Sequence, residues 1–190
     1  MHRGGPRRSD RGEERPGPRQ CVHVRPAGGG SRRCGQRQEG QVKSATSSVI
    51  VSTPNRYDYL DLTDDLRRAI KDSGVTDGAV VAFCAHTTCA LLINEWEDGA
   101  LEDFRRHVTR MVPHDGVYYA HDDFDVRTQN MHQDERKNGH AHVKAMLLSA
   151  TSHAIPVIAG EPSFGRWQRL IFFEMDEPKD RTVTFHVFGS

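Results

Sequence analysis

The pattern of this chain predicts an α+β domain. Three observations lead there. Strand-like and helix-like segments come as strands, helix, strands, helix, helix, strands, not as repeating βαβ units. The last two strand-like runs are joined by a polar turn, Asp176-Glu177-Pro178-Lys179-Asp180, short enough only for antiparallel neighbours. The 190 residues suffice for one domain with a real core, even after a first segment without core-forming residues is set aside.

That segment is residues 1–42. It is rich in Arg, Gly, Pro and Gln and nearly free of large apolar groups, so it cannot bury enough surface to offset its ordering entropy. It reads as a disordered extension, with the folded domain at 43–190. A basic nucleic-acid-binding tail, an Arg-rich targeting peptide and upstream sequence translated from an early start are the competing readings. Scattered acids and glycines argue against a clean transit peptide, and an inert extension is the favoured one.

The elements follow in order. Ser48 to Thr53 is β-branched and reads as a strand; Tyr57 to Leu62 reads as a second. Thr63 is the expected N-cap of a helix from Asp64 to about Asp72, with Leu62, Leu66 and Ile70 as its apolar stripe and Gly74 as its stop. Asp77-Gly78 is the turn expected to launch a central strand. Leu101, Phe104, Val108 and Met111 recur at helical spacing over 98–111, with Asp98 as N-cap and Pro113 beyond the end. Residues 114–139 form a long polar loop, a length that points to function or disorder. A helix is expected over 140–150 with Val143 and Met146/Leu147 facing inward, then strands at 154–159, 170–175 and 182–188.

The chemistry gathers around Cys84-Ala85-His86-Thr87-Thr88-Cys89-Ala90-Leu91-Leu92-Ile93-Asn94-Glu95. An apolar run from Ala79 to Ile93 is broken there by one His and two Thr. The expectation is a strand ending near His86, an irregular turn, and a second strand ending in Asn94 and Glu95. That would set an imidazole, two hydroxyls, an amide and a carboxylate near one sheet end. Nine of the eleven His lie in 43–190, and His86, His121, His140 and His142 stand where one site could form. His140 and His142 are two apart, so on a regular helix they point different ways. Glu174 in an apolar strand needs a buried partner, with Arg169 and Arg181 as candidates and a structural salt bridge as the plain expectation. Cys84 and Cys89 read as small buried residues; their spacing matches no paired-Cys zinc site.

Composition narrows the function classes. Residues 1–42 hold ten Arg against four acids, a net of +6, so residues 43–190 carry −6. A mildly acidic domain lacks the electrostatic footprint of a nucleic-acid binder. No apolar run reaches the length of a membrane span, and the first residues lack a secretory apolar middle. Four Cys without a paired framework suit a reducing compartment, and a cytoplasmic location is expected.

His86-Thr87-Thr88, Asn94-Glu95, Asn138-Gly139-His140-Ala141-His142-Val143-Lys144, Pro156, Gly160, Gly165-Arg166-Trp167-Gln168 and the closing Glu174, Arg181 and Gly189 together resemble the YjbQ family, whose members are often named secondary thiamine-phosphate synthase enzymes. The resemblance covers about residues 43–189. It implies a curved, mainly antiparallel sheet with flanking helices, a homotrimer, and a His-rich site holding a divalent metal, Mg or Zn. It implies joining of a pyrimidine pyrophosphate to a thiazole phosphate with release of pyrophosphate. On that reading His86, His142 and Glu95 are catalytic. Thr87, Thr88, Asn94, Trp167, Gln168 and Arg181 bind a small-molecule substrate. His86, His121, His140 and His142 hold the metal. A metal-dependent phosphate-ester hydrolase and a non-catalytic ligand-binding or metal-binding trimer are the alternatives. The chain departs from the family pattern at Cys89, where a small or branched residue is usual, and at Arg166, where Thr is common.

Removal of residues 1–40 is expected to leave folding intact. Matched thermal melts of the full and shortened chains check this, and a lower midpoint in the shortened chain would refute it.

Overall fold

The run Leu170-Ile171-Phe172-Phe173 shows no polar alternation because its strand is buried on both faces. The computed structural model describes residues 42–148 and 151–190. The strands are β1 Lys43–Val51, β2 Tyr59–Asp61, β3 Asp77–Cys84, β4 Cys89–Glu95, β5 Ser152–Ile158, β6 Glu161–Pro162, β7 Gln168–Glu174 and β8 Arg181–Gly189. The helices are α1 Thr63–Ser73, α2 Asp98–Met111 and α3 Gly139–Leu148, with a 3-10 turn at Ala120–Asp122. This is an α+β domain. Among the described residues every strand pairing is antiparallel, as expected, but the strands form two sheets, ordered β1-β8-β3-β5-β6 and β2-β7-β4. β7 and β8, expected from the short turn at 176–180 to be neighbours, lie in different sheets because that turn crosses from one sheet to the other.

The two sheets and α1 enclose the main core. Val80 and Ala82 of β3, Val183, Phe185 and Val187 of β8, Leu91 of β4, Leu170 and Phe172 of β7, and Leu66 and Ile70 of α1 meet there. The odd residues of β7 face the other way. Phe173 joins Ala90, Val108 of α2, and Ala141 and Ala145 of α3 in a second cluster. Tyr59 stacks on Phe173 with ring centroids 4.6 Å apart. The small sheet is thus a middle layer, and period two along β7 sends alternate side chains to different cores.

Several local expectations are corrected. The N-terminus of α1 is held by Asp61, whose carboxylate accepts the Thr63 N–H at 2.8 Å; the Thr63 hydroxyl instead accepts the Leu170 N–H at 3.0 Å. Gly74 does end that helix, in the left-handed region at φ 67°. Glu97, not Asp98, caps α2, its carboxylate accepting the Gly99 and Ala100 N–H groups. Asp77 and Gly78 lie inside β3, not in a turn. A Cβ at Gly78 would stand 2.1 Å from the Phe188 carbonyl oxygen, so the glycine serves a close strand approach. On α3, Met146 and Leu147 are exposed, whereas His140, Ala141, Lys144 and Ala145 are buried. Small residues let the helix lie close to the middle sheet, and the polar pair His140 and Lys144 bond to each other below it. Expected helical residues 149 and 150 lie outside the described residues, as does the 1–41 part of the expected extension.

Glu174 is the polar exception on the main-core side of β7. It is fully buried and forms a two-pronged pair with Arg181 at the start of β8: Arg181 Nε donates to Oε2 at 2.8 Å and Nη2 to Oε1 at 2.6 Å. Arg169, the other expected partner, faces Asp61 at 3.8 Å. Removing one member of a buried pair strands the other charge, typically at about 3–5 kcal/mol. Glu174→Ala and Arg181→Ala are each expected to lower unfolding free energy by about that much, and an apolar double replacement by clearly less. Urea unfolding of the three variants decides it; equal losses in single and double variants would refute the coupling.

Candidate functional site

Between Cys84 and Cys89 the chain leaves one sheet and enters the other. β3 pairs with β5 and β8 and β4 pairs with β7, so Ala85, His86, Thr87 and Thr88 form a loop that crosses between the sheets over the buried Glu174–Arg181 pair. Arg181 Nη2 also donates to the Thr88 hydroxyl at 3.0 Å, and Thr88 is buried. The loop is therefore fixed from below by the same guanidinium that neutralises Glu174.

This loop forms one wall of a cleft of about 990 Å³. Opposite stand His121 at the 3-10 turn, Arg127 and Glu135 of the long loop, and Asn138 and His142 at the start of α3; Lys179 and Arg181 complete it. The structure thus brings together His86, His121 and His142 with Thr87, Thr88 and Arg181. They come from separate segments of the sequence.

Each imidazole has a distinct setting. His86 Nε2 accepts the Thr182 backbone N–H at 3.1 Å. A neutral ring accepting at Nε2 carries its proton on Nδ1, so His86 offers an N–H donor. Burial and then the Arg181 and Lys179 charges hold its pKa below the ordinary value, which keeps it neutral. His142 is likewise lowered, by burial and then by His121, whose ring centroid lies 4.4 Å away. His121 Nδ1 faces the Asp122 carboxylate at 3.3 Å, leaving Nε2 as its acceptor. Asp122 also accepts the Gly139 N–H at 2.8 Å, which ties the loop to the N-terminus of α3.

Polar anchors lie deeper. Asn138 Nδ2 donates to Asp176 at 2.8 Å and Lys179 Nζ to the same carboxylate oxygen at 3.0 Å. Asn138 Oδ1 is buried on the lining of the cleft and has no partner among the described residues. Arg127 pairs with Glu135 at 3.2 Å. Arg127, Glu135 and Lys179 were not singled out as site residues from the sequence. Their only signal was the length of the polar loop and the polar turn before β8.

His140 is not a cleft residue. Helix α3 includes both His140 and His142, so they point apart; His140 is 1% exposed and its Nδ1 accepts from Lys144 Nζ at 3.0 Å. Lys144 also donates to the Tyr57 hydroxyl at 3.0 Å. Glu95 and Asn94 do not share a sheet end with His86. In the β4–β7 register Cys89 lies opposite Glu174 and Glu95 opposite Gln168, so β4 carries them about 20 Å away at ~3.3 Å per residue. Trp167 is exposed beside them under the Arg166 guanidinium, 4.5 Å from the ring centroid. Gln168 Oε1 accepts the Gly165 N–H at 2.8 Å.

The fit to a four-histidine metal centre is poor on donor chemistry. His140 is turned away and His86 offers a proton rather than a lone pair, which leaves His121 and His142. Among the described residues no group of three or more His, Cys, Asp or Glu side chains is arranged to hold a metal ion.

Comparison with known proteins agrees with the fold. The model of the family described as UPF0047 protein YjbQ-like matches residues 47–190. The chain belongs to the YjbQ family. It is 38% identical over 135 residues to a UPF0047 protein of Archaeoglobus fulgidus, covering 71% of this chain and 94% of that one. It is 30% identical over 142 residues to UPF0047 protein YugU of Bacillus subtilis, covering 75% and 98%. A crystal structure of a YbjQ-like protein of unknown function from Sulfolobus solfataricus P2 superposes with a TM-score of 0.69 at 28% identity, covering 78% of this chain and 99% of that one. These family relatives carry no assigned activity in their names. No helix among the described residues is long and apolar enough to cross a membrane.

The buried His140 predicts a pH dependence. Burial, then the Lys144 charge, lowers its pKa from 6.5 to about 4. The unfolded chain therefore takes up this proton first as pH falls, and the folded chain loses stability from about 6.5 down to about 4. His140→Asn is expected to flatten that part of the stability profile relative to wild type. Denaturant midpoints at a series of pH values check it; parallel profiles would refute it.

Proposed function

We propose that the cleft binds a small phosphorylated substrate and assists departure of pyrophosphate, with thiamine-phosphate synthesis as its specific form. The observation that carries this reading is the convergence of His86, His121 and His142 with Arg127, Lys179 and Arg181 on one cleft. Joining a thiazole phosphate to a pyrimidine pyrophosphate forms a carbon–nitrogen bond at the pyrimidine methylene. The carbon–oxygen bond to pyrophosphate breaks, and its electron pair leaves on oxygen. That step needs donors and positive charge on the leaving group. His86 Nδ1–H and Lys179 supply them, while Arg127, tied to Glu135 and to the carbonyls of His121, Gln129 and Asn130, holds the opposite wall. His142, held neutral by burial, acts as the acid–base group. Asn138 Oδ1, buried and unpartnered, suits a donor on the pyrimidine.

No step in this reading runs through a metal. A divalent ion, Mg or Zn, would have His121 and His142 as its imidazole ligands. The role of Glu95, Asn94, Trp167 and Gln168 in substrate handling is not part of this cleft within one chain. Self-association as a homotrimer and a cytoplasmic setting belong to the same proposal. Phe83, Ile158 and Phe188, each more than 40% exposed on the outer face of the large sheet, support self-association.

His142→Ala is expected to lower turnover of the two thiamine precursors by about 10²-fold or more while leaving the melting temperature nearly unchanged. The assay runs beside a panel of phosphate esters, with elemental analysis of the purified chain. Turnover of esters alone would replace the transferase with a hydrolase. Ligand binding without any turnover would make the chain a binding protein. An unaffected variant would remove His142 from the mechanism.

A further inference from the structure

The His86 loop begins and ends in a cysteine. Cys84 is the last residue of β3 and Cys89 the first of β4, in different sheets. Both are free and buried, and their sulfurs are 3.3 Å apart. A disulfide needs about 2.05 Å, so closure asks for little more than an ångström of approach by two side chains already facing each other. The residues between them, Ala85, His86, Thr87 and Thr88, line the cleft.

We propose that Cys84 and Cys89 form a dithiol site for two-electron oxidants, closing to an intrachain disulfide that locks the His86 loop. Cys84 Sγ takes the His86 backbone N–H and shares one S–H hydrogen bond with Cys89, so Cys84 is written as the attacking sulfur and Cys89 as the resolving one.

The co-reactant is a low-molecular-weight disulfide such as oxidised glutathione; with both cysteines 1% exposed, it reaches them on transient local opening of the loop. The Cys84 thiolate attacks one of its sulfurs; the sulfur–sulfur bond breaks, and one glutathione thiolate leaves with the electron pair and takes a proton. Cys89 then loses its proton to solvent and attacks the Cys84 sulfur of the mixed disulfide, releasing the second glutathione. Two protein thiols are oxidised by two electrons and one small disulfide is reduced to two thiols. Excess reduced glutathione runs both steps backward. In a reducing compartment the pair rests as thiols, and the link is transient.

The closed form differs from the open one at the cleft. The bond joins the two sheets where the loop leaves one and enters the other. It removes the S–H hydrogen bond between the two sulfurs and tightens a ring that contains His86 and Thr88. Thr88 is bonded to Arg181, so the ring also acts on the guanidinium beneath the loop. This inference does not depend on the reading of the cleft as a pyrophosphate site.

The test uses the full chain and a version with Cys21→Ser and Cys34→Ser, equilibrated across glutathione redox buffers and then blocked with an alkylating reagent. Peptide mapping is expected to find Cys84 linked to Cys89, with the mass loss of two hydrogens. The link should reverse in excess reduced glutathione and be absent in Cys84→Ser and Cys89→Ser. Carbon–proton NMR of the histidines is expected to show the His86 signals moving on oxidation and returning on reduction. Cys84 and Cys89 both recovered as alkylatable thiols after unfolding, under the most oxidising buffer, would overturn the redox site. A link that forms with the His86 signals unmoved would overturn its hold on the cleft.

Discussion

The Glu174–Arg181 pair is the constraint around which this domain is arranged. It joins the last residue of β7 to the first of β8, and so one sheet to the other. A carboxylate with no exposure cannot stay ionised there without a partner of matched geometry, and the planar guanidinium supplies two parallel donors. The remaining reach of Arg181 goes upward to Thr88. A bond that serves folding thus also positions the loop that carries His86.

The middle sheet transmits that constraint. β7 is packed on both faces, so its side chains alternate between the two-sheet core and the helix layer. Phe173 holds α2 and α3 in place, and α3 carries His142. The residues of the cleft consequently trace back to one strand by two routes, through Arg181 to His86 and through the second core to His142. Asp122 closes the circuit by bonding both His121 and the first N–H of α3.

The strand and helix order was legible because apolar period and turn chemistry speak locally. The β3 and β4 boundaries followed from the polar break at 85–88, and α2 from its recurring Leu101, Phe104 and Val108. What failed was information carried by partners distant in sequence. The exposure of Met146 and Leu147 is set by the sheet α3 lies upon, not by its own apolar content. Gly78 looked like a turn residue because its real neighbour, the Phe188 carbonyl, is more than a hundred residues away. The site was legible in part. His86, His121, His142, Thr88 and Arg181 converge, while the register of β4 on β7 carries Asn94 and Glu95 to the other end. Residue types marked the chemistry; only pairing register could decide which of them meet.

The two walls of the cleft differ in kind. One, the 85–88 loop, is bonded to a buried ion pair, and its replacement would disturb the fold. The other is drawn largely from the long segment between α2 and α3, whose regular structure is limited to the turn at Ala120–Asp122. Arg127 and Glu135 on that segment contribute to neither core. Loops supported by a rigid scaffold tolerate insertion and exchange. Lineages sharing this scaffold can therefore diversify what the cleft accepts by editing a single wall, and a laboratory library confined to residues 124–136 would explore ligand preference with little risk to folding.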